Sequence, residues 1–316
     1  MSHICAIFTH FCNESNTLTC LQRLAQQTRR PDRIILINNA AADCPTLDKA
    51  RSFAEQQLGG DCLHILQMPS NLGNAGGCAA GIDEAFRKLK ADFVWVLDDD
   101  SWPRPETLAN LLACDVDSDT IRMSMVIDPS KGDELSWPLT AKDGNAALWQ
   151  HIAKRADLPV GNEIISRGGW LGALYPRHAW KKVGVPTPEL FIRGEDEEYP
   201  WKLRNAGFNF VTLRNSPLEH PSSKQKLIKY EIDGRCFFYE PGLHPSRIYY
   251  KNRNWAWLQR LRYPRKRQIP MRLLNCGIYL LFAINAMLRS EELTPLRVYQ
   301  LFRALHNGFY GKLRDY

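Results

Sequence analysis

Over the first 130 residues, short apolar runs alternate with stretches of helical composition, and few folds accept that rhythm. The apolar runs are Ile4–Thr9, Arg33–Asn38 and Leu63–Gln67, separated by the helix-like stretches Asn16–Thr28 and Pro45–Leu58. A glycine-rich turn then leads into Ala79–Leu89, and Phe93–Leu97 is a wholly apolar run that stops at three aspartates. Strand and helix in this alternation argue for βαβ units and a parallel sheet. A short run apolar throughout reads as a central strand buried on both faces. Open parallel sheets collect ligands beyond the carboxyl ends of their strands, where loops converge and helix N-termini point inward. Thr9, Asn38 and Asp98 each stand at such an end.

The rest of the chain divides by composition. With 316 residues and 44% hydrophobic content there is enough apolar material for a substantial core. Residues 128–166 read as a loop-rich excursion, because Pro129, Gly132, Pro138 and Gly144 interrupt any period. The expected divisions are therefore 1–127, 128–240 and 241–316. The last is helical and basic, with 14 Lys and Arg against three acids, while the chain as a whole carries +7. Within it Leu273–Leu288 is a 16-residue apolar stretch broken by Asn275, Gly277 and Asn285. That is short of the roughly 20 residues a spanning helix needs. Arg260, Arg262, Arg265, Lys266 and Arg267 precede it, so the tail is expected to lie on a membrane surface or to pack as a helical bundle. Nine scattered cysteines form no CxxC pair, and the N-terminus has no secretory leader, so the cytoplasm is the expected compartment, with peripheral contact to the inner face of the membrane.

Asp98, Asp99 and Asp100 carry the first chemistry. In extended backbone alternate side chains share a face, so Asp98 and Asp100 can point together. Two converging carboxylates suit a hard divalent cation, Mg2+ or Mn2+, bound together with substrate phosphates. The competing structural reading is a helix N-cap at Ser101 with acids before it. Asn71-Leu-Gly-Asn-Ala-Gly-Gly77 opens a helix-like stretch, and its glycines allow close backbone approach to a ribose or phosphate. It has neither GxGxxG spacing nor the Gly-Lys-Ser/Thr of a P-loop.

Thr9, the pair Asn38-Asn39, the Asn71–Gly77 block and Val96-Leu-Asp-Asp-Asp100 follow one another in the order seen in family 2 glycosyltransferases, and the chain resembles a GT-A enzyme over residues 4 to about 222. The later stretch Leu190-Phe-Ile-Arg-Gly-Glu-Asp-Glu-Glu-Tyr199 is similar to the acidic acceptor-side motif of that family. Asp98–Asp100, Glu195–Tyr199 and His220 together resemble the galactofuranosyl- and rhamnosyltransferase branch. Tyr249-Tyr-Lys-Asn-Arg-Asn254 is similar to the same branch, and Gln259-Arg-Leu-Arg-Tyr263 only superficially resembles the QxxRW signature of processive relatives.

The resemblance implies a Rossmann-like GT-A domain, with residues 1–127 as the nucleotide-sugar half and 128–240 as the acceptor half. It implies an inverting transfer of galactofuranose or rhamnose from a UDP- or dTDP-linked donor to a glycan or polyprenyl-linked hydroxyl. Thr9, Asn38, Asn39 and Asn71, with Gly73, Gly76 and Gly77, would hold the nucleoside. Many relatives carry Asp where this chain has Asn38. Asp98, Asp100 and His220 would surround Mn2+ or Mg2+, with Asp98 and Asp99 also toward ribose or sugar. Trp170, in Gly168-Gly-Trp-Leu-Gly-Ala-Leu-Tyr175, is weighed as an acceptor platform against core packing. Asp196 is the expected general base and Glu195 its neighbour on the substrate.

Two other functions compete. A nucleotidyltransferase on a related sheet would need a basic phosphate loop near the N-terminus, and Thr9–Thr17 contains no Lys or Arg. A basic nucleic-acid-binding protein could stack bases on Trp255, Trp257 and Tyr263 among their arginines, and nucleic acid is the less expected partner.

Overall fold

The computed structural model describes residues 2–142, 148–222, 228–232, 235–313 and 315–316. Gly144 lies outside these residues. The chain divides into two compact units, Met1–Pro188 with Glu195–Ser222, and Glu189–Gly194 with Ser223–Tyr316.

In the first unit the order is β1 (Ile4–His10), α1 (Glu14–Ala25), β2 (Arg33–Asn38), α2 (Pro45–Gln57), β3 (Leu63–Gln67), α3 (Gly73–Asp83), β4 (Phe93–Val96), β5 (Trp102–Pro103), α4 (Thr107–Ala113) and β6 (Thr120–Asp128). There follow β7 (Glu134–Leu135), β8 (Leu139–Ala141), β9 (Gln150–Ile152), β10 (Glu163–Ile165), β11 (Ala173–Pro176), α5 (Arg177–Val183), α6 (Glu195–Asn205) and β12 (Asn209–Glu219). The main sheet runs β10-β12-β6-β11-β4-β1-β2-β3. Strands β3, β2, β1 and β4 are parallel, β11 enters antiparallel between β4 and β6, and β12 is parallel to β6. The mixed, mostly parallel sheet flanked by helices is the class that the alternating sequence implies.

The central strands β1, β2 and β4 are covered on both faces, which is why they are largely apolar. Cys5 and Ile7 of β1 face α3 and α6 in a core with Cys78, Ile82, Tyr199 and Leu203. Ile4, Ala6 and Phe8 face the other way, against Leu21 and Leu24 of α1, Leu47 of α2 and Leu108 of α4. Helix α1 starts where Asn13 accepts the backbone N–H of Asn16, and α2 starts with Pro45 in its first turn.

The described parts of the excursion, 128–142 and 148–166, are more ordered than the prolines and glycines suggest. Their strands are two or three residues long, too short to show a period, yet they bury Ala141, Ile152, Leu158 and Ile164 against Met125 and Ile127 of β6.

The second unit contains β13 (Ile228–Ile232) and β14 (Arg235–Tyr239), then α7 (Pro245–Arg262), α8 (Ile269–Arg289) and α9 (Pro295–Phe309). Helices α7 and α9 pack so closely at Gly308 that a Cβ there would lie 2.0 Å from the carbonyl oxygen of Arg253. Arg253 donates to the carbonyls of Glu189 and Leu190 at 2.7 and 2.9 Å, and Asn254 donates to those of Leu190 and Ile192 at 2.8 and 3.1 Å. The Tyr249–Asn254 block therefore fixes the strap Glu189–Gly194, in which Phe191, Arg193 and Gly194 have positive φ. Gln259 is buried and accepts from Asn275 at 3.1 Å, which is a packing task. Trp255 stacks on Tyr279 with ring centroids 4.4 Å apart.

The length argument against a spanning helix does not hold. With Pro270 in its first turn α8 runs 21 residues, and the helical stretch Lys266–Arg289 is long and apolar enough to cross a membrane by length and composition.

Candidate active site

Strands β1, β2 and β4 end along one edge of the sheet, and the three aspartates follow β4 there. The strand stops at Val96, so Asp98 and Asp100 are not aligned by strand alternation. A tight turn brings them together: Ser101 donates its hydroxyl to the Asp98 carbonyl at 2.8 Å and accepts the Asp98 N–H at 2.9 Å. Strand β5 begins directly after this turn and pairs antiparallel with the end of β12, setting Trp102 opposite Glu219. The next residue, His220, thereby reaches Asp100, with Nε2 3.3 Å from Oδ1. Glu219 is itself held by Arg104 at 2.9 Å and Arg23 at 3.2 Å. Arg104 and Glu219 carried no sequence signal, because their partnership depends on a pairing more than a hundred residues apart, and Ser101 closes the aspartate turn rather than capping a helix.

Ligand atoms of Asp98, Asp100 and His220 all lie within 4.8 Å of one another. Divalent cations sit about 2.0–2.6 Å from oxygen ligands, so atoms at this separation can share one ion. Asp98 Oδ1 and His220 Nδ1 are buried atoms without a hydrogen-bond partner among the described residues. A buried polar atom left unpaired is costly, and a cation at this group would satisfy Asp98 Oδ1. The donor set of two carboxylates and an imidazole suits Mn2+ or Mg2+.

The carboxylates feel one another. Burial, reinforced by Asp100, pushes Asp98 up to about 7, and burial with the charges of Asp100 and Asp98 does the same to Asp99. Burial opposes the charge on both His220 and Asp100, but their mutual hydrogen bond and charge attraction together outweigh it, raising the imidazole and lowering the carboxyl.

Helix α6 brings in a second acidic pair. Glu195 is buried, 4% exposed, while Asp196 is exposed in the same first turn. Asn74, the second residue of α3, donates to Glu195 at 3.2 Å and accepts from the Thr9 hydroxyl at 2.9 Å. Burial, together with the charge of Asp196, pushes Glu195 up to about 8. Asn74 lay inside the glycine-rich block, but its role depends on α6 and was missed.

The remaining sequence-derived residues divide by task. Asn71 accepts the N–H of Gly73, whose φ of 67° needs glycine, and is exposed at the mouth of this turn. Asn39 clamps the turn from beneath, donating to the Gly73 carbonyl and accepting from the Leu72 N–H. Gly76 and Gly77 do not bring backbone toward a ligand. A Cβ on Gly77 would lie 2.9 Å from Thr9 and 3.0 Å from Asn39, and one on Gly76 would lie 2.7 Å from Leu72, so these glycines let α3 pack closely. Asn38 does not offer its amide to a nucleobase in this arrangement: it is fully buried, donates to Gln67 and to the Ala40 and Ala41 carbonyls, and accepts from Ala40. Trp170 is 4% exposed with Tyr175 and Tyr199 centroids 6.2 and 5.9 Å away, so it is a core residue rather than an open platform. The exposed ring beside the site is Trp137, edge-on to His220 at 5.0 Å.

These shifts set a pH dependence. Groups with raised values hold more protons in the folded chain than in the unfolded one, so stability falls as pH rises through that window. For Asp98, Asp99 and Glu195 the window runs from about 4 to about 8, and the raised His220 acts in the same direction. Metal-free protein is expected to melt lower at pH 8 than at pH 6 on this account, and Mn2+ to raise the melting temperature more at pH 8. A Mn2+ shift that is equal at both pH values would mean that these carboxylates do not face the ion.

A model described as "Glycosyl transferase family 2" matches residues 6–184. The galactofuranosyltransferase GlfT1 of Mycobacterium tuberculosis is 30% identical over 247 residues, 76% of this chain and 77% of that protein. The Mycolicibacterium smegmatis GlfT1 is 27% identical over 304 residues, 93% and 95% of the two chains. Among solved structures, GalNAc-T7 with UDP, GalNAc and Mn2+ superposes with a TM-score of 0.54 at 16% identity, covering 80% of this chain and 47% of its own, so this chain spans about half its length. The mannosyltransferase PcManGT from Pyrobaculum calidifontis, in complex with GDP-Man and Mn2+, gives 0.53 at 14% identity over 99% and 87%. At these identities the two structures speak for a GT-A-like fold.

Proposed function

We propose, on the premise that this chain belongs to glycosyltransferase family 2 and passes a sugar from a nucleotide-sugar donor to an acceptor, that it is an inverting, metal-dependent galactofuranosyltransferase of cell-surface polysaccharide synthesis. The donor is UDP-galactofuranose and the acceptor a hydroxyl of a glycan or polyprenyl-linked glycan. The observation that carries this is the convergence of Asp98, Asp100 and His220 with the acidic pair Glu195 and Asp196 at the carboxyl edge of the sheet. The choice of galactofuranose over rhamnose rests on the relatives, which are named for that activity. Eight described cysteines are free thiols, which fits a reducing, cytoplasmic setting.

Asp98, Asp100 and His220 would hold Mn2+ or Mg2+, which would supply positive charge to the leaving nucleoside diphosphate. The turn Asn71–Gly73 presents Asn71 and backbone at the N-terminus of α3, where a ribose or phosphate is favoured. Thr9 and Asn74 fix Glu195 so that its buried carboxyl can hydrogen-bond the donor sugar. Burial and the charge of Asp196 push Glu195 toward its protonated form, which favours Asp196 as the base. Asp196 takes the acceptor proton as that oxygen bonds the anomeric carbon, while the bond from the anomeric carbon to the diphosphate oxygen breaks on the opposite side. Attack from that side inverts the anomeric configuration.

Thermal-shift titration with UDP, dTDP, GDP and UDP-galactofuranose, each with and without Mn2+, tests the donor assignment. A shift with the uridine ligands that requires Mn2+ is expected. Preference for GDP, or no Mn2+ requirement, would contradict it.

A further inference from the structure

Among the described residues, helices α8 and α9 each leave large apolar side chains exposed. On α8, Leu274, Leu281 and Leu288 are spaced seven apart and are 54, 72 and 57% exposed. Residues two full turns apart share a helix face, so these three form one stripe. On α9, Leu296, Tyr299 and Phe302 are 61, 64 and 51% exposed. Isolated exposed apolar residues are ordinary, but a continuous face of this kind marks an interaction surface. The opposite faces are occupied: Tyr279, Phe282, Ala283 and Met287 of α8 share a core with Leu301 and Leu305 of α9.

Charge identifies the occupant. Arg265, Lys266 and Arg267 stand exposed immediately before α8, in a tail holding 14 Lys and Arg against three acids. Two copies of so basic a region repel each other, whereas an anionic bilayer attracts the basic collar and receives the apolar stripe.

We propose that this surface docks the protein on anionic lipid, with α8 lying in the plane of the interface rather than crossing the membrane. Although α8 is long enough to span, it is bound sideways to α7. Asn275 donates to Gln259 at 3.1 Å, Tyr279 donates to Asn252 at 2.5 Å, and Trp255 stacks on Tyr279. Helix α7 also carries Arg247, Lys251, Arg253, Arg260 and Arg262, and a spanning α8 would draw these charges into hydrocarbon. In the interfacial orientation the leucines enter the acyl boundary while the α7 face stays in protein and water. Tyr299 and Tyr310 suit the headgroup level, where amphipathic rings collect.

Docking is read without donor or acceptor, so its outcome is independent of the transferase assignment. The full-length protein is floated with vesicles of phosphatidylcholine alone or with about a third phosphatidylglycerol. It should float with the anionic vesicles and release in alkaline carbonate. Neutralising Arg265, Lys266 and Arg267 to Gln should weaken binding about a hundredfold at low salt, at about fivefold per charge. Leu281→Glu should abolish flotation while the melting temperature stays unchanged. Failure to float on anionic vesicles, retention after carbonate, or a concentration-dependent dimer that Leu281→Glu dissociates would each overturn the proposal.

Discussion

Replacing Asp196 with asparagine is expected to lower turnover by about a hundred- to ten-thousand-fold, the usual worth of general-base assistance, with donor affinity almost unchanged. The side chain is exposed in the first turn of α6, and asparagine keeps its shape and one accepting oxygen, so the fold should persist. Its neighbour separates two explanations. Glu195 is buried, hydrogen-bonded to Asn74, and raised to about 8. Glu195→Gln keeps a neutral hydrogen-bonding group of the same shape, so it is expected to cost less in turnover than Asp196→Asn. Steady-state kinetics on both variants decide the matter. A Glu195→Gln variant that alone loses turnover would move the base to Glu195.

Asp100→Ala is expected to remove the response of donor binding to Mn2+ and to cut transfer on the order of a thousandfold, because the charge developing on the leaving diphosphate loses its counter-charge. The change deletes one side of the Asp98–Asp100–His220 group and the partner of His220. It also removes a charge that raises both Asp98 and Asp99. The metal-free variant should therefore melt close to the parent, which distinguishes loss of the ion from loss of the fold. Isothermal titration of UDP with and without Mn2+ is the direct check, and an undiminished Mn2+ response would remove Asp100 from the ligand set.

How much of this was legible in the sequence follows from what each feature depends on. The strands β1, β2 and β4 are readable because both faces are buried and the apolar runs are continuous, and β3 is only partly buried; Arg33–Asn38 and Leu63–Gln67 fall where composition puts them. Helix α3 was seen to begin only at Ala79, because Gly73, Gly76 and Gly77 are poor helix formers in isolation. Gly73 supplies a positive φ and Gly76 lies against Leu72 at the helix start, while Gly77 packs closely on Thr9 and Asn39, a tertiary effect no local pattern reports. Asp98, Asp100 and His220 were singled out together by resemblance, but the reason given for the two aspartates was strand alternation, and a turn closed by Ser101 does that work instead. Asn38 and Trp170 look like ligand groups in a sequence because polar amides and tryptophans often are. Burial and internal hydrogen bonds give Asn38 a structural task, and burial gives Trp170 one, and burial is what composition reports least well. The strands between 128 and 166 are too short to carry a period.

The most direct measurement is acceptor-dependent release of UDP from UDP-galactofuranose by the purified chain, with Mn2+ or with excess chelator, followed by assignment of the product's anomeric configuration by NMR. The account predicts release that requires Mn2+, is lost in Asp196→Asn and yields a galactofuranoside of configuration opposite to the donor. Full transfer in chelator, or a product that retains the donor's configuration, would contradict it.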